Sequence, residues 1–345
     1  IRIYGYDKIE PKSVIKDTKI KKEILNDKLK SFYKSKRIIA SRGYLETMTW
    51  SFVSFEQASI GNKKENVIIK NPISSDLDTM RSSIFPNLLS SINININHLY
   101  SNGKLFEVGP QFSGSKEKDQ QMLATGIQYG SAYSETWNDE KRISDVFDVK
   151  SDVYFVLEQL NVPVDNVLYE EIDNSFFHPG KSAKLRIGKE ILAQFGEIHP
   201  FILKKFEINT NVSGFEIILD QISQFQLKIT STKKAYDNND LQAIERDFAF
   251  LLDEEVMSNS IVNCIRKIGI KNKLVDVLEV SVFDVYQEDS NKKEKSIGVE
   301  VLLQPLISTL NEKQIIEVSE NIIFPLNLFS IFFIEFSISF FSISN

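Results

Sequence analysis

Cysteine is almost missing from this sequence: Cys264 is the only one in 345 residues. One thiol excludes a disulfide framework and a thiolate metal cluster, and it fits a reducing compartment. Histidine is scarce as well, with only His98, His178 and His199 available as imidazole ligands or bases. A basic excess is absent too. Lys and Arg number 41 against 47 Asp and Glu, a net charge of −6, so no global charge marks a nucleic-acid binder. No signal peptide leads the chain, and the opening IRIYGYDKIEP has no Met and reads as the middle of a longer protein.

What is present is ordinary for a soluble globular protein: 42% hydrophobic and 26% charged residues. The length allows two domains, or three. Charge is uneven along it. Residues 1–42 hold 13 Lys/Arg against 5 Asp/Glu, and residues 232–322 hold 11 against 17. Any RNA contact must therefore come from a local patch or from stacking, and the basic run at the start reads as a solvated helix face.

Periodicity outlines the elements. Ile20, Ile24, Leu25, Leu29, Phe32 and Ile39 recur at helical steps and predict a helix over 16–42, with Gly43 at its C-terminal cap. LETMTWSFV (45–53) alternates as a strand, with Met48, Trp50 and Phe52 on one face and Trp50 and Phe52 expected in the core. NVIIKNP reads as a strand stopped by Asn-Pro, and a helix starts near Pro86. KLFEVGPQFSG is a strand pair broken at Gly109-Pro110, and ATGIQYG is a strand. Val149, Val153, Val156, Leu157 and Leu160 form the stripe of a helix over 145–160.

The segment HPGKSAKLRIGKEILAQFGEIHP (178–200) carries two of the three histidines. Two alternating runs joined by Gly188-Lys189 predict a tight hairpin, with His178 and His199 just outside its ends. A zinc site needs three or four ligands. His98 is distant and Glu197 is the one near candidate, so these histidines are read as hydrogen-bonding groups that fix the strand ends.

A polar stretch over 224–241 marks a domain boundary. After it the pattern is β-α-β-β-α: strands at 246–253, 277–287 and 295–305, and helices at 255–269 and 309–323, the second capped by Thr309 with Glu312. This is one strand short of a ferredoxin-like unit. Residues 324–345, rich in Phe, Ile and Ser, read as an out-of-frame or truncated ending rather than a membrane anchor. A fourth strand from IEFSISF is the alternative. Along 277–287, strict alternation places Val280, Val282, Asp284 and Tyr286 on one face and Phe283 on the other. A carboxylate can accept from a guanine edge and a tyrosine can stack on a splayed base.

RIYGYDKI, NPISSDLDTMRSSIFPNLL, LFEVGPQF, HPGKSA, FGEIHP, ERDFAFLLD, FDVYQ, KKEKSIGVEVLLQP and TLNE, in that order, closely resemble the β subunits of bacterial phenylalanine–tRNA ligase over about residues 1–323. The resemblance implies an α+β chain. Residues 1–12 would be the tail of a helix-turn-helix-like B5 domain. Residues 13–223 would be a class II aminoacyl-tRNA synthetase-like antiparallel sheet with flanking helices, catalytically inactive. Residues 235–323 would be a ferredoxin-like anticodon-binding domain, and 324–345 an atypical tail. It implies partners: a catalytic α subunit in an (αβ)2 tetramer, and tRNA(Phe), in the cytoplasm and without a membrane. The helix at 16–42 and strand at 45–53 have the layout of the class II interface motif. ATP and Mg2+ serve the holoenzyme, with none bound by this segment alone. The family's β-side magnesium ligands lie upstream of Ile1, so no metal ligand is carried over.

Active class II strands of the form F-E-x-G-x-x-F-R supply an arginine to the reacting phosphate. Here Phe106 to Phe112 is followed by Ser113, and Gly196 in FGEIHP has no arginine behind it. No catalytic residue is therefore expected. Anticodon contact is carried over to Asp284 and Tyr286, with Arg246 and Lys295 as candidate phosphate contacts. The rival readings are an autonomous class II enzyme and a stand-alone RNA-binding module.

Overall fold

A computed structural model describes residues 1–11, 25–61, 65–133, 136–138, 142–172, 176–226, 239–272, 274–287, 293–326 and 330–334. The chain divides into two compact units, 1–231 and 232–345.

In the first unit, helix α1 (Asp27–Ser41) starts where the Asn26 side chain accepts from the Leu29 N–H, well after residue 16. Ile38 and Ile39 are buried and Phe32 packs beside them, but Leu25 and Leu29 are exposed; Ile20 and Ile24 lie outside the described residues. Gly43 follows the helix at φ +85°, a left-handed position that suits glycine.

The strand predicted over 45–53 is interrupted. Only β1 (Leu45–Glu46) and β2 (Phe52–Val53) form. Between them, the Thr47 N–H and hydroxyl both donate to the Phe106 carbonyl, and the Thr49 N–H and hydroxyl both donate to the Glu107 carboxylate. These bonds to residues 106 and 107, distant in the sequence, take the place of a continuous ladder. They turn Met48 and Trp50 outward, to 91% and 63% exposure, so Trp50 is not a core residue.

Helix α2 (Phe55–Ser59) and strand β3 (Thr79–Met80) follow; of NVIIKNP only Ile68 bridges, to Thr79. Helix α3 (Phe85–Asn97) carries Pro86 in its first turn. Strand β4 (Gly103–Phe112) runs unbroken through Gly109 and Pro110. Beyond Phe106 no described strand lies along its outer edge, so the missing Pro110 N–H breaks no ladder bond.

Strand β5 (Gln120–Tyr129) precedes helix α4 (Val146–Gln159), which opens on an Asp145–Asp148 capping box. Its stripe of Val149, Val153, Val156, Leu157 and Leu160 is fully buried. Strand β6 (Leu168–Glu170) leads to the hairpin β7 (Phe177–Ile187) and β8 (Glu190–Ile198), which turns on Gly188 at φ +60°. Helix α5 (Pro200–Lys205), strand β9 (Val212–Ile218) and helix α6 (Leu219–Phe225) complete the unit.

Seven strands form one sheet in the order β1-β4-β5-β9-β8-β7-β6, antiparallel except for β1 with β4. One core lies between the sheet and α1, α4 and α6, with Phe106, Val108, Phe195 and Phe215 among its residues. The other lies against α3 and α5, with Leu105, Ile127, Phe177 and Ile198.

The second unit runs β10 (Ile244–Asp253), α7 (Ser258–Lys271), β11 (Val275–Tyr286), β12 (Glu294–Pro305), α8 (Glu312–Leu326) and β13 (Ser330–Ile334). Its all-antiparallel sheet has the order β11-β12-β10-β13, which is the complete ferredoxin-like arrangement. The segment set apart as an atypical tail therefore supplies the end of α8 and the fourth strand. SIFFI forms that strand; most of the expected IEFSISF lies outside the described residues. Phe248, Phe250, Ile297, Val299 and Val301 pack beneath Ile261, Ile265, Val318 and Ile322 of the two helices, and no described helix of the unit covers the opposite, open sheet face.

Candidate functional site

Two sheet faces could carry function. In the first unit, one row crosses five strands: Glu107 on β4, Thr125 on β5, Glu216 on β9, Gln194 on β8 and Lys184 on β7 are successive ladder partners. This row lies on the side of α3 and α5.

Its carboxylates are satisfied from within. Arg81 is 1% exposed and donates to Glu107 at 2.7 Å, to the Thr49 hydroxyl at 3.1 Å and, through Nε, to the Pro110 carbonyl at 2.8 Å. Gly109 makes this possible: a Cβ there would sit 2.5 Å from the Arg81 guanidinium. Glu216 accepts from the Ser83 hydroxyl at 3.0 Å and from the Gln194 amide. Burial pushes its carboxyl up, against the lowering effect of those two bonds.

Next to the row, Gly214 and Gly196 face each other across β9 and β8. Phe85 fills the space over Gly214 and Phe177 packs against Gly196, the two rings 5.4 Å apart edge to face. A nucleotide triphosphate does not fit these residues. The buried guanidinium is committed, two carboxylates line the row, and aromatic rings occupy the glycine gap. Ser113, in the arginine position of the resemblance, bonds back to the Asp119 carbonyl.

His178 and His199 stack at 6.3 Å. His178 lies within β7 rather than outside it, and its Nδ1 accepts from the Gly180 N–H; His199 caps α5 by accepting from the Phe201 N–H. Glu197 pairs with Lys181. These are strand-end and helix-end fixtures, and no metal-binding cluster forms among the described residues.

The open face of the second unit is the other candidate. A bulge between Val282 and Asp284 inserts Phe283 as an extra residue. The inferred alternation fails there. Val280 and Val282 pair with the buried Val301 and Val299 and face the helices, whereas Asp284 pairs with Gly298 and Tyr286 with Ser296, on the open face. Asp284 and Tyr286 thus stand together, both exposed.

Arg246 and Lys295 are not brought to them. Arg246 pairs with Val301, so its side chain leaves on the helix side. Lys295 pairs with the buried Leu252, and its ammonium donates to the Glu254 carbonyl at 2.6 Å. The open face instead holds Glu245, Asp247, Glu279 and Glu300 in two adjacent rows. The Glu300 carboxyl is pushed up, first by its hydrogen bond with Glu245, then by desolvation and by the charges of Glu245, Asp247 and Glu279. Sequence reasoning missed Phe283, because a bulge leaves no periodic trace; Gly298 opposite the FDVY run is the one available hint.

The mainly antiparallel sheet with helices on both faces, followed by a ferredoxin-like unit, defines a two-unit α+β protein. The family model of the phenylalanyl tRNA synthetase beta chain CLM domain matches residues 12–219, and that of the ferredoxin-fold anticodon binding domain matches 240–328. The chain belongs to the family of phenylalanine–tRNA ligase β subunits. It is 33% identical over 325 residues to the β subunit of Rhodospirillum rubrum and 35% identical over 325 residues to that of Paramagnetospirillum magneticum, each covering 94% of this chain. It is 36% identical over 327 residues to that of Bartonella henselae, covering 92% of this chain. The chain spans 40% of the length of each of these curated relatives. Among solved structures, a pyrrolysyl-tRNA synthetase from Desulfitobacterium hafniense overlaps 57% of this chain and 68% of its own, at 13% identity and a TM-score of 0.45.

Proposed function

We propose that this chain is the assembly and anticodon-binding part of a phenylalanine–tRNA ligase, working in the cytoplasm, with the chemistry of phenylalanine activation carried by a separate α subunit. The observation that carries this reading is the state of Arg81. Transition-state charge on a phosphate needs donors aimed at it and free to meet it, and this guanidinium is bound on three sides by its own chain. ATP and Mg2+ then belong to the holoenzyme, on residues outside this segment.

The same unit offers an apolar surface for a partner. Leu45, Met48, Trp50, Phe55, Ile68 and Ile73 are between 50% and 91% exposed along 45–73. Apolar side chains exposed together mark an interaction surface. The open face with Asp284 and Tyr286 is the RNA contact, with tRNA(Phe) as substrate of the (αβ)2 assembly.

Two measurements test this. ATP–pyrophosphate exchange by the chain alone should be at background, and exchange above it would replace this reading with an autonomous enzyme. Mixed with an α subunit, the chain should co-elute. A monodisperse monomer that binds tRNA without any α subunit would favour the stand-alone RNA-binding module instead.

A further inference from the structure

Helices α7 and α8, on the side of the sheet away from Asp284 and Tyr286, border a cavity of about 600 Å³. That volume lies within the range of small-molecule sites. From α7, Cys264, Lys267 and Ile268 line it at helical steps of three and four, and Asn272 follows at the end of the helix. From α8, Glu317, Asn321 and Pro325 line it at successive steps of four, and Leu274 completes the wall.

The polar groups of this lining are uncommitted. Among the described residues, Lys267, Glu317 and Asn321 make no hydrogen bond or ion pair. Lys267 and Glu317 carry opposite charge and line one cavity, yet they do not close on each other. The Asn272 side-chain oxygen accepts from the Leu274 N–H at 2.9 Å, which leaves the amide's own N–H donors unused. Pro325 has no N–H, so the Asn321 carbonyl lacks the donor that a helix normally gives it. Donors, an ammonium and an amide, thus come from α7 and its end, and acceptors from α8. Burial raises the Cys264 thiol and the Lys267 charge opposes it, so that charge is felt inside the cavity.

This combination selects among ligands. A phosphate or nucleotide would meet Glu317 with only one cation in the lining to offset it. A simple fatty acid would leave Glu317 unpaired against apolar surface, and a simple amine would do the same to Lys267; covering an unpaired charge is costly. A molecule with both charges and an apolar body satisfies every wall.

We propose that the cavity between α7 and α8 binds a free α-amino acid with an apolar side chain. Lys267 and the Asn272 amide take its carboxylate, Glu317 and Asn321 take its ammonium, and Cys264, Ile268, Leu274 and Pro325 enclose its side chain. The site is independent of the anticodon reading, and either can fail without the other.

Cys264 is the only cysteine in the chain, so its alkylation reports on this cavity alone. The test follows iodoacetamide modification of the full chain by intact mass at neutral pH. L-leucine, L-methionine or L-phenylalanine should slow it, to a plateau as concentration rises. For each, the amine lacking the carboxylate and the acid lacking the amine should protect far less, and glycine, with no apolar body, should not protect. Lys267→Met and Glu317→Gln should each raise the concentration for half-protection about tenfold, the scale of one lost hydrogen bond to a charged group. Rates with and without amino acid are compared within each variant, because Lys267 also acts on the thiol itself. Both substituted side chains are exposed, and unchanged circular dichroism confirms the fold. The proposal is overturned if none of the three amino acids slows alkylation, or if protection survives both substitutions unchanged. Equal protection by the acid analogues, with no effect of Glu317→Gln, would also overturn it and assign the cavity to a carboxylate.

Discussion

Arg81 and Glu216 show how single buried charges have settled on the synthetase-type face. Arg81 is held by Glu107, Thr49 and the Pro110 carbonyl, with side-chain exposures of 1% and 7% for the ion pair. Removing one partner of such a pair leaves the other buried and uncompensated, which costs about 3–5 kcal/mol. Arg81→Met is therefore expected to destabilise the first unit by about that amount in urea titrations, and Arg81→Met with Glu107→Gln to recover more than half of it. Glu216 gives a pH-dependent case. Its folded carboxyl is raised by burial, so the unfolded chain ionises first as pH climbs. Its contribution is fully favourable below the ordinary carboxylate range and declines as pH rises from there through the raised folded value. Glu216→Gln should then stabilise the chain at neutral pH, with the gain fading to nothing in acid; thermal melts across that range measure it.

At the scale of elements, caps and bulges set what periodicity leaves open. Thr309 and Glu312 have the spacing of a capping box, yet helix α8 is closed by Asn311 and Gln314, each side chain accepting from the other's backbone N–H. Asn311→Ala should cost about 1 kcal/mol in the second unit and Thr309→Ala close to nothing, as read from chemical denaturation midpoints. Strand β13 is an edge built from residues whose composition departs from the rest of the chain. Its ladder covers β10 from Ala249 to Leu252. A chain ending at Leu326 should lose hydrogen-exchange protection at the β10 amides that point toward β13, while those pointing toward β12 keep it.

At the scale of the whole molecule, the two units have separate cores. Phe248, Ile265, Val299 and Ile322 form a cluster with no member from the first unit. Residues 239–334 produced alone should accordingly unfold in one cooperative transition; a broad, non-cooperative melt would show that the unit depends on the rest of the chain. No helix among the described residues is long and apolar enough to cross a membrane.

Much of this architecture is written in local pattern. The α4 stripe, the Gly188 hairpin, the helix start at Pro86 and the β-α-β-β-α order after the polar stretch follow from residue spacing, because a 3.6-residue or 2-residue period needs only one face to be apolar. The same spacing misplaced Trp50, which alternates as a core residue but is turned to solvent after the Thr47 and Thr49 bonds that precede it. The site divides the same way. That Asp284 and Tyr286 share a face follows from their separation of two, since successive side chains on a strand point to opposite faces. Which face it is, that Phe283 joins them, and that Arg246 and Lys295 do not, was decided by a bulge and by which side of the sheet the helices cover. Those are contacts between segments distant in the chain, and no local period records them.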